Sequence, residues 1–240
     1  MSGRIDVHGH FLPALDDGSR SIEESVELAL RMAESGYSHL SCTPHIWPEH
    51  AYSPKFILGE VAKLQRALDS HGVPVTLVSG GELALTDLDL YSMNYTQMPT
   101  YNMNGKYVLF DFWADELPED YWQRIDRLKT LGATPIQAHP ERIAAFQDHP
   151  HLLDELAEQG VLLQCNLQCI SDQAGARTRD CAERWLADKR YFLLASDAHR
   201  TDTLDYRLDG LKRAIERFGE AEIDRLTITN PAKVIALDLA

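Results

Sequence analysis

The chain has 240 residues, long enough to bury one large core, and its 44% hydrophobic and 25% charged residues are those of an ordinary folded protein, so disordered and fibrous classes are excluded. Twenty-three Lys and Arg stand against 37 Asp and Glu, a net charge of −14, which disfavours nucleic acid and anionic lipid as partners but not an anionic substrate met through bound cations. No run is apolar and long enough for membrane insertion, and Cys42, Cys165, Cys169 and Cys181 make no CxxC pair; reduced, mostly buried thiols and a cytoplasmic location are expected.

Short apolar runs alternate with amphipathic segments. Ile5-Asp6-Val7-His8 reads as a first strand. Ser21 can cap a helix with Glu24 at the capping-box position, and Val26, Ala29, Leu30 and Ala33 form its apolar stripe up to Gly36. Leu40-Ser41-Cys42 is a second strand, and 54–71 a helix with Ile57, Val61, Leu64 and Leu68 on one face. Strand 73–78 follows, then an irregular stretch over 84–104. Strand 107–112, helix 118–131, strand 134–138, helix 150–159, strand 161–165, helix 178–188, strand 191–195 and helix 204–218 complete the alternation, with a short helix after Asn230-Pro231. About seven strand–helix units imply parallel strands with right-handed crossovers. A single α/β domain over 1–240, a distorted (β/α)7 TIM-like barrel, fits best. A doubly wound sheet is the alternative, but no glycine-rich phosphate loop is present.

The unusual polar residues fall on this map in phase. His8 and His10 end the first strand one residue apart. Asp17 follows in a loop, His45 follows the second strand, Glu82 the third, and Asp111 lies near the end of the fourth. His139 follows the fifth, and Asp197 and His199 the last. In a parallel barrel those strand ends meet on one rim. A single strand-end histidine is more often a hydrogen-bonded structural residue. The phased set instead implies a nitrogen and oxygen ligand group for zinc, manganese or iron. His39, His50, His71, His149 and His151 are out of phase and read as surface or helix-end residues.

The segments Asp6-Val7-His8-Gly9-His10, Asp16-Asp17-Gly18, Cys42-Thr43-Pro44-His45 and Gly80-Gly81-Glu82 resemble the polymerase-and-histidinol-phosphatase superfamily of metal-dependent phosphoesterases. With Ala138-His139-Pro140-Glu141-Arg142, Ser196-Asp197-Ala198-His199 and Thr229-Asn230-Pro231, the chain is more narrowly similar to bacterial protein tyrosine phosphatases encoded with capsule and exopolysaccharide genes. That resemblance implies three divalent ions (manganese favoured, iron or zinc as alternatives). His8, His10, Asp197 and Glu82 would hold the first, Glu82, Asp111 and His139 the second, and Asp17, His45 and His199 the third. It implies that Arg142 binds phosphate. Relatives carry Glu where this chain has Asp111. They also carry an arginine shortly after the DxH, where Leu204 falls here, with Arg200 and Arg207 as the nearby substrate-binding candidates.

The implied activity is hydrolysis of phosphotyrosine in a protein, a bacterial tyrosine kinase of capsule synthesis, with Arg142 and His199 as catalytic groups. A small-molecule phosphatase resembling histidinol phosphatase is the alternative within the same chemistry. An amidohydrolase is disfavoured because no bridging lysine follows the third or fourth strand in phase. A metal-stabilised binding module without turnover is the non-enzymatic alternative.

Overall fold

The computed structural model describes residues 3–114 and 116–239. Among the described residues, a three-stranded parallel sheet runs β1 (Arg4–Asp6), β2 (Tyr37–Cys42) and β4 (Thr76–Ser79). A six-stranded parallel sheet runs β3 (His45–Ile46), β5 (Glu82–Ala84), β6 (Tyr107–Asp111), β7 (Thr134–Ala138), β8 (Leu162–Asn166) and β9 (Leu193–Ala195). The helices are α1 (Ile22–Glu34), α2 (Pro54–Ser70), α3 (Tyr121–Thr130), α4 (Ala144–Asp148), α5 (Leu152–Glu158), α6 (Ala176–Ala187), α7 (Leu204–Phe218), α8 (Glu220–Asp224) and α9 (Asn230–Ile235).

Nine strands still make about seven units. β3 continues β2 after a break at Thr43-Pro44, and β5 continues β4 after a break at Gly80-Gly81. Hydrogen bonds from Gly80 N to Cys42 O and from Glu82 N to Pro44 O, both 3.0 Å, carry the pairing across the break. Gly81 is required there, because a Cβ would lie 2.8 Å from Pro99 Cβ. The break has a consequence for the site: His45 and Glu82 start new short strands and pair in register, where the sequence places them just past strand ends. At the other side, Asp197 N bonds His8 O at 2.8 Å and His10 N bonds Ala198 O at 2.7 Å, bringing the end of β1 beside the end of β9.

Alternation along the strands sorts the core. Val108, Phe110 and Phe112 face the helices, as do Leu163, Cys165 and Leu194. Leu109, Ile136, Ala138, Leu193, Ala195, Ile5 and Val7 pack together on the other side, closed below by Ala232, Val234 and Ile235 of α9. On that inner side the residues turn from apolar to polar toward the C-terminal end. Leu109 is followed by Asp111, Leu162 by Gln164 and Asn166, and Ala195 by Asp197. The strands thus carry an apolar floor and a polar rim.

α2 buries Ile57, Val61, Leu64 and Leu68, the face its periodicity predicts. α1 is rotated from its predicted stripe. Ser25, Leu28, Ala29 and Met32 are buried, while Leu30 is 40% exposed. Two adjacent stripes compete on this helix, and the one holding Met32 fills the core. Ser21 caps α1 by accepting from Glu24 N at 3.3 Å, but Glu24 turns its carboxylate to Arg20 instead of closing the box. Alternation also lapses once: no α-helix joins β5 to β6, only short 3-10 turns at Tyr95–Gln97 and Tyr101–Met103. All four cysteines are buried free thiols. No helix among the described residues is long and apolar enough to cross a membrane.

Candidate metal centre

The nine phased residues meet at the polar rim. Their donor atoms form four overlapping groups, each within 4.8 Å: His10, Asp17, His45 and His199; His8, His10 and Glu82; His8, His139 and Asp197; and His45, Glu82 and Asp111. The out-of-phase histidines lie elsewhere. His50, His71, His149 and His151 sit at helix or turn ends, and His39 lies part-exposed in β2.

The spacings are those of ligands around a shared cation. His8 Nε2 and His10 Nε2 are 3.4 Å apart; each faces Glu82 Oε2, at 3.3 and 3.5 Å, and Asp197 Oδ1, at 3.4 and 3.3 Å. These are long for hydrogen bonds, yet a tetrahedral ion with bonds of about 2.0–2.1 Å has ligand-to-ligand edges of about 3.3–3.4 Å. Asp17 Oδ1 stands 3.5 Å from both His45 Nε2 and His199 Nε2. Glu82 reaches His45 Nδ1 at 3.0 Å with one oxygen and His139 Nε2 at 3.2 Å with the other. The grouping departs from the sets implied by resemblance in three respects: His139 falls with His8 and Asp197, His45 takes its place beside Glu82 and Asp111, and His10 joins Asp17, His45 and His199.

The rings are fixed from behind. His8 Nδ1 meets Gln164 Oε1 at 2.8 Å, His10 Nδ1 meets Asp16 Oδ2 at 2.7 Å, and His199 Nδ1 meets the Asp197 carbonyl at 2.8 Å. Each partner accepts, so Nδ1 carries the proton in the neutral ring and Nε2 offers a lone pair inward. Asp197 and His139 both hold positive φ, 52° and 33°, in the left-handed region that costs a non-glycine residue strain.

Asp111 shows most clearly that the donor set fits a cation. It is fully buried, and neither carboxylate oxygen has a hydrogen-bond partner. His139 Nδ1 is likewise buried without a partner, and Glu82 Oε2 and His45 Nδ1, though 3.0 Å apart, do not meet with hydrogen-bond geometry. Buried polar atoms are otherwise almost always paired, so a nitrogen and oxygen set left open at one point fits a divalent metal.

A model of the capsular polysaccharide synthesis CpsB/CapC family matches residues 4–236. The chain belongs to that family. The chain is 26% identical to tyrosine-protein phosphatase YwqE of Bacillus subtilis, covering 94% of this chain and 89% of that protein. It is also 26% identical to tyrosine-protein phosphatase CpsB of Streptococcus agalactiae, covering 96% and 98%. A solved structure from work on YwqE of B. subtilis and CpsB of Streptococcus pneumoniae, metal-dependent tyrosine phosphatases, superposes with a TM-score of 0.87 at 26% identity, covering 98% and 95% of the two chains. A phosphotriesterase homology protein from Escherichia coli shares the fold alone, with a TM-score of 0.62 at 10% identity over 98% and 99%.

In this CpsB/CapC chain the cluster is electrostatically tight. Burial alone would lower His8, yet Glu82 and Asp197 raise it to about 9. Burial likewise opposes His10, but Asp16 and the inner carboxylates hold it well above its ordinary value. Burial would raise Glu82 and Asp197, and the surrounding histidines keep both well below the carboxylate range. Asp111 goes the other way: burial and the charge of Glu82 push it well above. Burial depresses His139.

The arginines occupy three different settings. Arg142 lines the ≈ 370 Å³ cavity over the cluster, with Nη1 3.3 Å from Asp197 Oδ2. Arg200 is on the same wall and bonds the Asp17 carbonyl at 3.2 and 3.3 Å. Arg207 also reaches the cavity wall but is largely buried. Its Nε bonds the Ser196 and Asp197 carbonyls at 3.0 and 2.9 Å, and its Nη1 bonds Thr203 O at 2.8 Å.

Sequence reasoning missed the supporting residues. Asp16 stands beside Asp17 in the sequence, but the resemblance names only Asp17 as a ligand. Gln164 supports His8, and Asn166 Nδ2 donates to Asp197 Oδ2 at 2.7 Å. Their signal was present: two amides on alternate positions of an otherwise apolar buried strand. Asp6 also acts from below, accepting from Ser196 N at 3.0 Å and thereby holding the Asp197 loop.

Proposed function

We propose that this chain is a metal-dependent protein-tyrosine phosphatase of capsule or exopolysaccharide synthesis, and that its substrate is a phosphotyrosine protein, a bacterial tyrosine kinase. The reading takes residues 1–240 as one catalytic domain with a distorted (β/α)7 barrel, acting in the cytoplasm. The convergence of five histidines and four carboxylates at one rim, in a chain of this family, carries it. His8, His10, Asp17, His45, Glu82, Asp111, His139, Asp197 and His199 are the ligands we assign, to three divalent ions, with manganese favoured over iron or zinc.

When bound, the ions supply Lewis acidity and a water nucleophile at neutral pH. The chain's own groups do the rest. Three ions carry six positive charges against the four carboxylates, so an acidic protein gains a local anion site. Arg142 projects from the cavity wall beside Asp197 and is placed to take equatorial phosphoryl oxygens, stabilising charge as it moves toward the leaving group. Arg200 and, behind it, Arg207 add positive potential on the same wall. Tyrosine leaves readily, its pKa of about 10 lying far below that of an alkyl alcohol, so little acid help is needed. His199 is the more open of the two rings facing Asp17, at 18% side-chain exposure against 8% for His45. With Nδ1 engaged by the Asp197 carbonyl, Nε2 is the atom that would hold the cation, so His199 would act at the departing oxygen by positioning that ion, and the small acid help needed falls to water.

The experiment is phosphate release from a phosphotyrosine peptide, compared with histidinol phosphate, by metal-loaded and stripped enzyme. Turnover lost on chelation, restored by Mn²⁺ and abolished by His139→Ala is expected. Undiminished turnover after complete stripping would refute the reading, and a large kcat/KM preference for the small metabolite would move the substrate to the small-molecule class.

A further inference from the structure

Trp113 lies two residues past Asp111 and keeps 58% of its surface exposed. Trp185, by contrast, is 1% exposed. Large exposed aromatic surface at the edge of a site commonly serves recognition. The Arg142 guanidinium carbon sits 4.9 Å from the Trp113 ring centroid, and the His139 ring lies 5.9 Å away. Trp47 stacks on His45 at 4.3 Å with planes 15° apart. The two indoles line one groove, with Pro48, Glu49, Thr86 and Asp87, and Trp113 is also part of the wall of the cluster cavity. Trp113 therefore borders both the groove and the phosphoryl site.

We propose that Trp113, together with Trp47, forms an aromatic wall that receives the phenyl ring of an aryl phosphate and so selects aryl over alkyl phosphomonoesters. The proposal rests on the phosphatase reading and adds a residue that sets its substrate class. Charge fixes the direction of binding. Arg142 and the cations draw the phosphoryl group into the cavity, while Glu49 and Asp87 in the groove repel an anion there. With the phosphoryl group held in the cavity, the groove beside Trp113 is the side we assign to the leaving group. In an aryl phosphate one ester oxygen separates phosphorus from the ring, so a phosphoryl group held at Arg142 puts that ring within reach of Trp113. Aromatic pairs are favourable at centroid separations of about 4.5–7 Å. A serine or glycerol phosphate offers no π face at that position.

The test uses metal-loaded full-length protein, Trp113→Ala and Trp113→Phe. Two readouts are taken: kcat/KM for phosphotyrosine peptide against phosphoserine peptide, and Kd by calorimetry for phenylphosphonate against methylphosphonate. Trp113→Ala should cut both aryl-to-alkyl ratios by about tenfold, chiefly through KM, and Trp113→Phe should restore most of the loss. Equal losses on aryl and alkyl ligands would overturn the proposal, since Trp113 would then only be supporting Arg142. Unchanged ratios would overturn it too, while leaving the phosphatase reading standing. Protein that hydrolyses no phosphoester yet binds phenylphosphonate better in a Trp113-dependent way would uphold the wall and refute the phosphatase reading. Binding of neither phosphonate would refute both.

Discussion

The Asp16 carboxylate lies 2.7 Å from His10 Nδ1, while the opposite nitrogen of that ring faces Glu82 and Asp197. The same carboxylate accepts from Gly18 N and His45 N, both at 3.0 Å, so it orients one assigned ligand and fixes the approach to another. Carboxylate behind imidazole raises the basicity of the inward nitrogen. Asp16→Asn keeps the shape but loses the charge. We expect metal affinity or turnover to fall by about 10–100-fold with the fold intact. Competition with a fluorescent chelator measures the affinity, and unchanged affinity would remove Asp16 from the site.

Asp111 makes an opposite pair of predictions. Its oxygens are buried and unpartnered, and burial with the charge of Glu82 beside it holds its carboxyl well above the usual range, so the charged form is disfavoured there without a compensating cation. Asp111→Asn should therefore leave the chelated protein equally or more stable. The metal-loaded protein should lose stability, because the amide cannot balance a cation's charge. Thermal unfolding with chelator and with Mn²⁺ separates the two cases; a drop in both would mean the carboxylate is needed for packing alone.

His8 ties stability to pH. Its ordinary value is near 6.5 and its folded value about 9, the opposing effect of burial being outweighed by Glu82 and Asp197. A value raised by folding means stability that is complete below about pH 6.5 and lost as the pH climbs through 9. His10 and Asp111 are raised in the folded protein as well, and each contributes a loss in the same direction as pH rises. Chelated protein should show a Tm that falls between pH 6.5 and 9. A histidine ligand must be neutral, so cation binding at pH 7–8 should release protons and flatten that slope. Calorimetry in buffers of different ionisation enthalpy counts the protons; none released would contradict the assignment of His8 as a ligand.

Arg207 is the group to separate positioning from substrate contact. Its Nε braces two carbonyls next to Asp197. Arg207→Met should cost about 1–3 kcal/mol by stranding them, and should lower kcat through a loosened Asp197. A rise in KM alone with unchanged Tm would instead make it a direct phosphate ligand. Arg142→Lys, which keeps the charge but loses the planar fork beside Asp197 and Trp113, should raise KM while sparing Tm.

Much of this arrangement was legible in the sequence because two periodicities run through it. The alternation at Val108, Phe110 and Phe112 separates the helix-facing side from Leu109 and Asp111, and the spacing of Ile57, Val61, Leu64 and Leu68 gives the buried face of α2 directly. Phase alone also brought His8 and His199 to one rim. The rest depended on contacts between distant segments. Nothing local tells which stripe of α1 docks, since Leu30 and Met32 are equally apolar. The need for glycine at the Gly80-Gly81 break shows only when Pro99 is seen packed against the place a Gly81 Cβ would take. Arg207 is distinguishable from Arg200 only once the Ser196 and Asp197 carbonyls are turned toward it.

The assigned ligands are drawn from both ends of the chain: His8 and His10 flank one side of the Gly9–Ala198 bridge, and Asp197 and His199 the other. A cation shared between them therefore acts as a clasp across a loop of nearly the entire polypeptide, whose closure entropy grows only slowly with length. Two practical results follow. The cluster cannot assemble on the ribosome until the segment after β9 has emerged, so loading is a late event. Stripping the ions should also loosen the seam between β1 and β9 first, making amide exchange there the earliest witness of metal loss.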